Sequence, residues 1–96
     1  MMRIVRLALK PEYCTAFRDF FDSRKEAIRA QPGCCSLALY EDIKYPGVFI
    51  TVSHWQHEDA LNAYRQSDLF ANTWPAVKQW FSEPPQVISA SPLIEL

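Results

Sequence analysis

Apolar and polar residues alternate near the start of the chain, and that two-residue period predicts a strand over residues 2–10. Val5, Leu7 and Leu9 fall on one face of it; Ile4, Arg6 and Ala8 fall on the other. Pro11-Glu12 opens a helix, a position where proline loses no hydrogen bond. Tyr13, Phe17, Phe20, Phe21, Ala27 and Ile28 then recur at helical spacing, and Pro32-Gly33 ends the stretch. Alternation returns with Cys35, Leu37 and Leu39 against Ser36, Ala38 and Tyr40. After the turn signal Lys44-Tyr45-Pro46-Gly47, a third strand runs from Val48 to Trp55. Val48, Ile50, Val52 and His54 share one of its faces; Phe49, Thr51, Ser53 and Trp55 share the other. So short a turn makes the second and third strands an antiparallel hairpin.

A second helical region begins near His57, with Ala60, Leu61 and Tyr64 inward. Ser67 reads as a new N-cap ahead of Leu69, Phe70, Thr73, Trp74, Val77, Trp80 and Phe81. Pro75 should kink or restart that helix, and Pro84-Pro85 stops it. Residues 86–96 form a last extended segment broken by Pro92. The order β-α-β-β-α-β predicts an α+β, ferredoxin-like fold in one domain over residues 1–96. Both helical regions then cover one face of the sheet, and the bare face needs a partner, most simply a second copy.

Composition narrows the function. Nearly half of the 96 residues are apolar and thirteen are aromatic, a rich supply for so short a chain. The net charge of -1 and the lack of a basic run argue against nucleic acid. The longest apolar runs are strand-length, so no membrane span is expected. The first ten residues lack a secretory apolar block, and the cytoplasm is the expected location. Cys14, Cys34 and Cys35 form neither a Cys-x-x-Cys pair nor an even set, which argues against disulfides and zinc. His54-x-x-His57 would point its two rings to opposite strand faces, so no metal is expected there either. With only two glycines there is no phosphate-binding loop, and no nucleotide cofactor is expected.

The segment Ser53-His54-Trp55-Gln56-His57-Glu58-Asp59-Ala60-Leu61-Asn62-Ala63-Tyr64 combines a strand ending in Trp, a polar link and an acidic-Ala-Leu helix opening. With Arg65-Gln66-Ser67-Asp68-Leu69-Phe70, the Pro32-Gly33-Cys34 turn and the Pro11-Glu12 start, it resembles the antibiotic biosynthesis monooxygenase family over roughly residues 2–82. The resemblance implies a dimeric α+β barrel, a homodimer in which two sheets face each other. It also implies a small aromatic, phenolic or quinol-like substrate held between sheet and helices and oxidised by molecular oxygen without metal, flavin or haem. The chain departs from the family pattern in places. Ser53 stands where many members carry Glu, and Tyr64 and Leu69 where many carry His. Trp74 stands where a haem-degrading branch carries its iron-binding His, and no His follows His57.

Five residues are candidates for the site. Trp55 reads either as a wall that stacks on an aromatic substrate or as a core anchor between sheet and helix. Tyr64, Phe70 and Trp74 read as further walls or as core. Arg24, counted at 100° per residue, falls within the Phe17, Phe20, Ala27 and Ile28 stripe. That makes it the candidate catalytic cation, for a phenolate or reduced oxygen, or else a structural ion-pair partner. Ring deprotonation followed by electron transfer to oxygen is the expected chemistry. A non-catalytic small-molecule-binding or dimeric interaction module is the alternative, and an isomerase of the same fold is a third.

Overall fold

The computed structural model describes residues 1–96. Strand β1 (Met2–Ala8) leads through a 3₁₀ turn at Pro11–Tyr13 into helix α1 (Cys14–Arg29). The hairpin follows as β2 (Cys34–Glu41) and β3 (Val48–Trp55). Its turn is held by the Asp42 carboxylate, which accepts the backbone N–H groups of Lys44 and Tyr45 at 2.7 and 3.0 Å. Helix α2 (Glu58–Arg65) starts where His57 Nδ1 accepts the Ala60 N–H, and α3 (Asp68–Lys78) where Ser67 Oγ accepts the Phe70 N–H. Pro75 lies inside α3, and the helix continues to Lys78 instead of restarting. Its missing N–H frees a carbonyl beside exposed Ala71, where water can satisfy it. Strand β4 (Gln86–Ala90) closes the order, and the tail after it is exposed. No helix is long and apolar enough to cross a membrane.

The four strands form one antiparallel sheet in the order β2-β3-β1-β4, an α+β ferredoxin-like arrangement with the helices on one face. Pleating sends Arg3, Val5 and Leu7 of β1 and Thr51, Ser53 and Trp55 of β3 toward the helices. On the opposite face the register aligns Ile88, Ile4, Val52 and Ala38 in one rung across all four strands. Ala8, expected on that bare face, is buried, as is its partner Val48. Ser82 bonds the Ala8 carbonyl and Glu83 reaches Arg6 at 2.8 Å, so the chain after α3 shields that end.

A bulge changes the start of β2. Cys34 pairs with Trp55 and Ser36 with His54, leaving Cys35 as the extra residue. Cys34 is therefore buried beside Trp55, while Cys35 is exposed and does not share the face of Leu37 and Leu39. Simple alternation predicts Cys35 on their face; the inserted residue reverses the parity.

The core is divided. Leu7, Leu9, Phe17, Phe49 and Val77 form one buried cluster; Cys34, Trp55, Ala60 and Leu61 form another. Ala27, expected on the inward stripe of α1, is exposed. Close-packed interiors normally run continuous through so small a domain. Here Leu7, Phe17 and Val77 of the first cluster and Trp55 and Leu61 of the second border a common cavity.

Candidate functional site

The cavity between sheet and helices has a volume of about 290 Å³. Its floor is Arg3, Val5 and Leu7 of β1, Thr51, Ser53 and Trp55 of β3, with Leu37 and Val87 from the flanking strands. Its roof takes Phe17, Phe21 and Ile28 from α1, Leu61, Tyr64 and Arg65 from α2, and Phe70, Thr73, Trp74 and Val77 from α3. The helical residues recur at intervals of three and four, as one face of a helix must. Val87 on edge strand β4 is 44% exposed, which marks the mouth.

Four of the expected site residues meet here. Trp55 stacks on Tyr64 at 5.4 Å, Tyr64 meets Phe70 edge-on at 5.4 Å, and Phe70 stacks on Trp74 at 5.9 Å. The rings form an unbroken aromatic wall. Ser53, buried behind it, accepts the Trp55 indole N–H at 2.9 Å and fixes the ring's tilt. The side chain that departs from the family's Glu is thus the partner of the hallmark Trp.

Arg24 is not brought to this cavity. It is half-buried, with its guanidinium carbon 4.7 Å from the Phe20 ring centroid. Phe20 meets Trp80 edge-on, and Trp80 stacks on Tyr13, so Arg24 caps a second aromatic run beside α1. The helical wheel placed it mid-stripe, but a long side chain can leave the buried face along the helix flank.

The cavity's charged groups are Arg3 and Arg65, which the pattern of apolar positions does not single out. Arg3 shares parity with Val5 and Leu7, so alternation alone could have found it. Burial, and then the neighbouring Arg65 charge, push the Arg3 guanidinium below its ordinary pKa. Tyr64 is the other titratable group in the wall, its phenol pushed up to about 12, first by burial and then by Cys34. It remains a neutral hydrogen-bond donor across the physiological range. Thr73 Oγ1 is buried without a partner. No Asp, Glu, His or Cys lines the cavity, and no group of three such side chains anywhere in the chain is placed to hold a metal ion.

A larger, open groove of about 860 Å³ lies between α1 and β2. Arg18, Asp19, Asp22, Lys25, Glu26 and Arg29 line it, a water-facing mixture of both signs in which Phe21 is the single aromatic ring.

Residues 1–81 match the family model for antibiotic biosynthesis monooxygenase. The chain belongs to that family. Its fold recurs in the solved structure of Rv0793 from Mycobacterium tuberculosis, with 28% identity and a TM-score of 0.90 over 98% of this chain and 95% of that one. A conserved protein from Methanosarcina mazei Go1 superposes with a TM-score of 0.85 at 22% identity, over 91% of this chain and 87% of its own. A solved antibiotic biosynthesis monooxygenase gives 0.84 at 23% identity, over 96% of this chain and all of its own. The latter two, at such identity, speak for the fold alone. No curated protein matches the sequence. Family membership accounts for the hallmark Trp55 segment, which lies wholly within the matched residues.

Proposed function

We propose that this chain is a cofactor-independent monooxygenase acting on a small aromatic, phenolic or quinol-like compound. One observation carries the reading: a cavity of about 290 Å³ walled on one side by Trp55, Tyr64, Phe70 and Trp74. An apolar void of roughly 150 Å³ holds benzene, so this volume suits one substituted ring or a fused pair. Family membership supports oxygen as the co-substrate.

The reaction balances without a cofactor. A phenol and molecular oxygen give a quinone and water. One oxygen atom replaces a ring hydrogen as a carbonyl, and the ring and hydroxyl hydrogens leave in the water. The substrate supplies all the electrons, most readily as its ring anion. The wall offers no carboxylate or imidazole base, and Tyr64 stays protonated. The protein's part is to favour the anion. The positive field of Arg3 and Arg65, with the Tyr64 and Thr73 hydroxyls as donors, lowers the pKa of a bound phenol. The aromatic wall orients the ring. Such an oxygenase works as a homodimer joined through the bare sheet face.

A binding module without catalysis is the second reading, and the absence of any Asp, Glu or His in the wall favours it. Oxygen uptake separates the two. The protein is mixed with phenols, hydroquinones and anthrone-type tricyclic compounds, without added cofactor, beside a heat-treated control. Uptake above the control supports the oxygenase; none across the panel leaves the binding module.

A further inference from the structure

We propose that the cavity takes an aromatic carboxylate, with the ring against the Trp55–Tyr64–Phe70–Trp74 wall and the carboxylate between Arg3 and Arg65. This rests on the cavity being an aromatic ligand site, and it adds the chemical group that the ligand must carry.

The wall's charge is one-sided. Two guanidinium groups line the cavity and no Asp or Glu does. The chain's two ion pairs are elsewhere, Arg6 with Glu83 and Lys25 with Asp22. Arg3 is half-buried, and its guanidinium donates to Ser89 Oγ at 2.9 Å, a neutral partner. A charge drawn out of water needs an opposite charge or further hydrogen bonds, and a like charge beside it deepens the need. Nothing within the chain meets it.

The position fits one ligand geometry. Arg3 sits opposite Ser53 on β3 and Ser89 on β4, two residues along from the Val5–Val87 pair. Arg65 directly follows Tyr64 on α2. Arg3 on β1, the strand paired with the one that carries Trp55, and Arg65 on α2 therefore border the same cavity as the Trp55–Tyr64 stack. A planar carboxylate matches the fork of a guanidinium. One carboxylate between two arginines leaves a net positive charge, which still favours the anion of a ring hydroxyl deeper in.

Calorimetry with two probes of equal shape tests this: 2-naphthoate, and the neutral 2-naphthamide. The wild-type protein is expected to bind the carboxylate about ten- to a hundred-fold tighter, the scale of one charge-assisted hydrogen bond. Arg3→Gln and Arg65→Gln should each reduce that preference, weakening naphthoate more than naphthamide. In the unmodified protein, added salt should weaken naphthoate binding and spare naphthamide. Arg65 is exposed, so Arg65→Gln and the salt series decide the matter even if Arg3→Gln fails to fold. Equal affinity for the two probes overturns the inference and leaves the aromatic cavity standing. A preference untouched by either substitution also overturns it, because the anion is then held elsewhere. Binding of neither probe overturns both this inference and the aromatic-site reading.

Discussion

Trp55 lies nearly flat on Tyr64, ring centroids 5.4 Å apart and planes 20° from parallel, and so ties β3 to α2 across one end of the cavity. The indole is 2% exposed and anchored by its N–H to Ser53. Packing and a place in the cavity wall therefore fall on the same side chain. Trp55→Ala is expected to cost about 3–5 kcal/mol of stability, as loss of a buried Trp does. Trp55→Phe keeps an aromatic face but strands the Ser53 hydroxyl, and should cost about 1–3 kcal/mol. Urea unfolding midpoints read both. A Trp55→Ala protein as stable as wild type would show that the ring is not part of the core.

Tyr64 gives a pH signature. Its phenol has a pKa of about 12 in the folded chain against an ordinary 10.0, because burial penalises the phenolate. Between those values the unfolded chain loses the proton while the folded chain keeps it, so stability falls as pH rises from about 10 to about 12. Tyr64 is partly open to the cavity, which holds the effect to at most about 2 kcal/mol. Absorbance titration should find one of the four tyrosines ionising late. Unfolding of Tyr64→Phe at both ends of the window should lack this part of the slope. A wild-type titration with every tyrosine near 10 contradicts the burial argument.

Much of this was legible in the sequence because periodicity reports which face is buried. Trp55, Tyr64, Phe70 and Trp74 were readable as inward-facing at strand or helix spacing, and in the fold they wall one cavity. What periodicity cannot report is a one-residue insertion or the reach of a long side chain. The Cys35 bulge reversed the parity of Cys34 and Cys35 because strand pairing, not spacing, decides where an extra residue is extruded. Arg24 was misplaced because its Cα direction lies near the stripe while its guanidinium leaves along the flank to Phe20. Arg3 was visible by parity, but a charge at a strand's start reads as a solvated end until β4 is known to pair beside it.

Arg24 serves as a contrast to the cavity arginines. It lies over Phe20, outside the cavity wall. Arg24→Ala is expected to lower stability by about 0.5–1 kcal/mol, the scale of an exposed cation–π contact, and to leave any oxygen uptake unaltered. A folded Arg24→Ala protein with uptake reduced by an order of magnitude would return Arg24 to the mechanism.

Gly33 joins the end of α1 to β2 at φ 81°, a backbone region that side chains resist. A Cβ added there would stand 2.5 Å from Ala60 Cβ, so α2 can dock on this turn only against a glycine. Gly33→Ala should destabilise the fold by more than about 2 kcal/mol, strain and overlap combined. In the Gly33→Ala, Ala60→Gly double variant the overlap is gone and the strain stays, so part of the loss returns beyond that of Ala60→Gly alone. A double-mutant cycle by chemical denaturation measures the difference, and strict additivity would show that the contact is not what excludes a side chain at Gly33.

The bare face of the sheet carries the last prediction. Ile88, Ile4, Val52 and Ala38 make one apolar rung, and the next rung sets Ile50 between Arg6 and Tyr40. Ile88 and Tyr40 are 55% and 56% exposed, and Leu93, Ile94 and Leu96 of the tail are more exposed still. A chain of 96 residues that leaves this much apolar surface in water gains by covering it, and an identical rung on a second copy offers matching shape without a charge to desolvate. The chain is therefore expected to sediment as a homodimer of the 11.1 kDa protomer at micromolar concentration. Val52→Glu places a charge in the middle of the rung, where pairing would bury it against its own copy. It should yield a monomer, because two buried like charges cost far more than the apolar contact gains. The cavity lies on the opposite face, so monomeric Val52→Glu protein is also the reagent that tells whether ligand binding needs the second copy. Wild-type protein that sediments as a monomer would remove the sheet face as an interface.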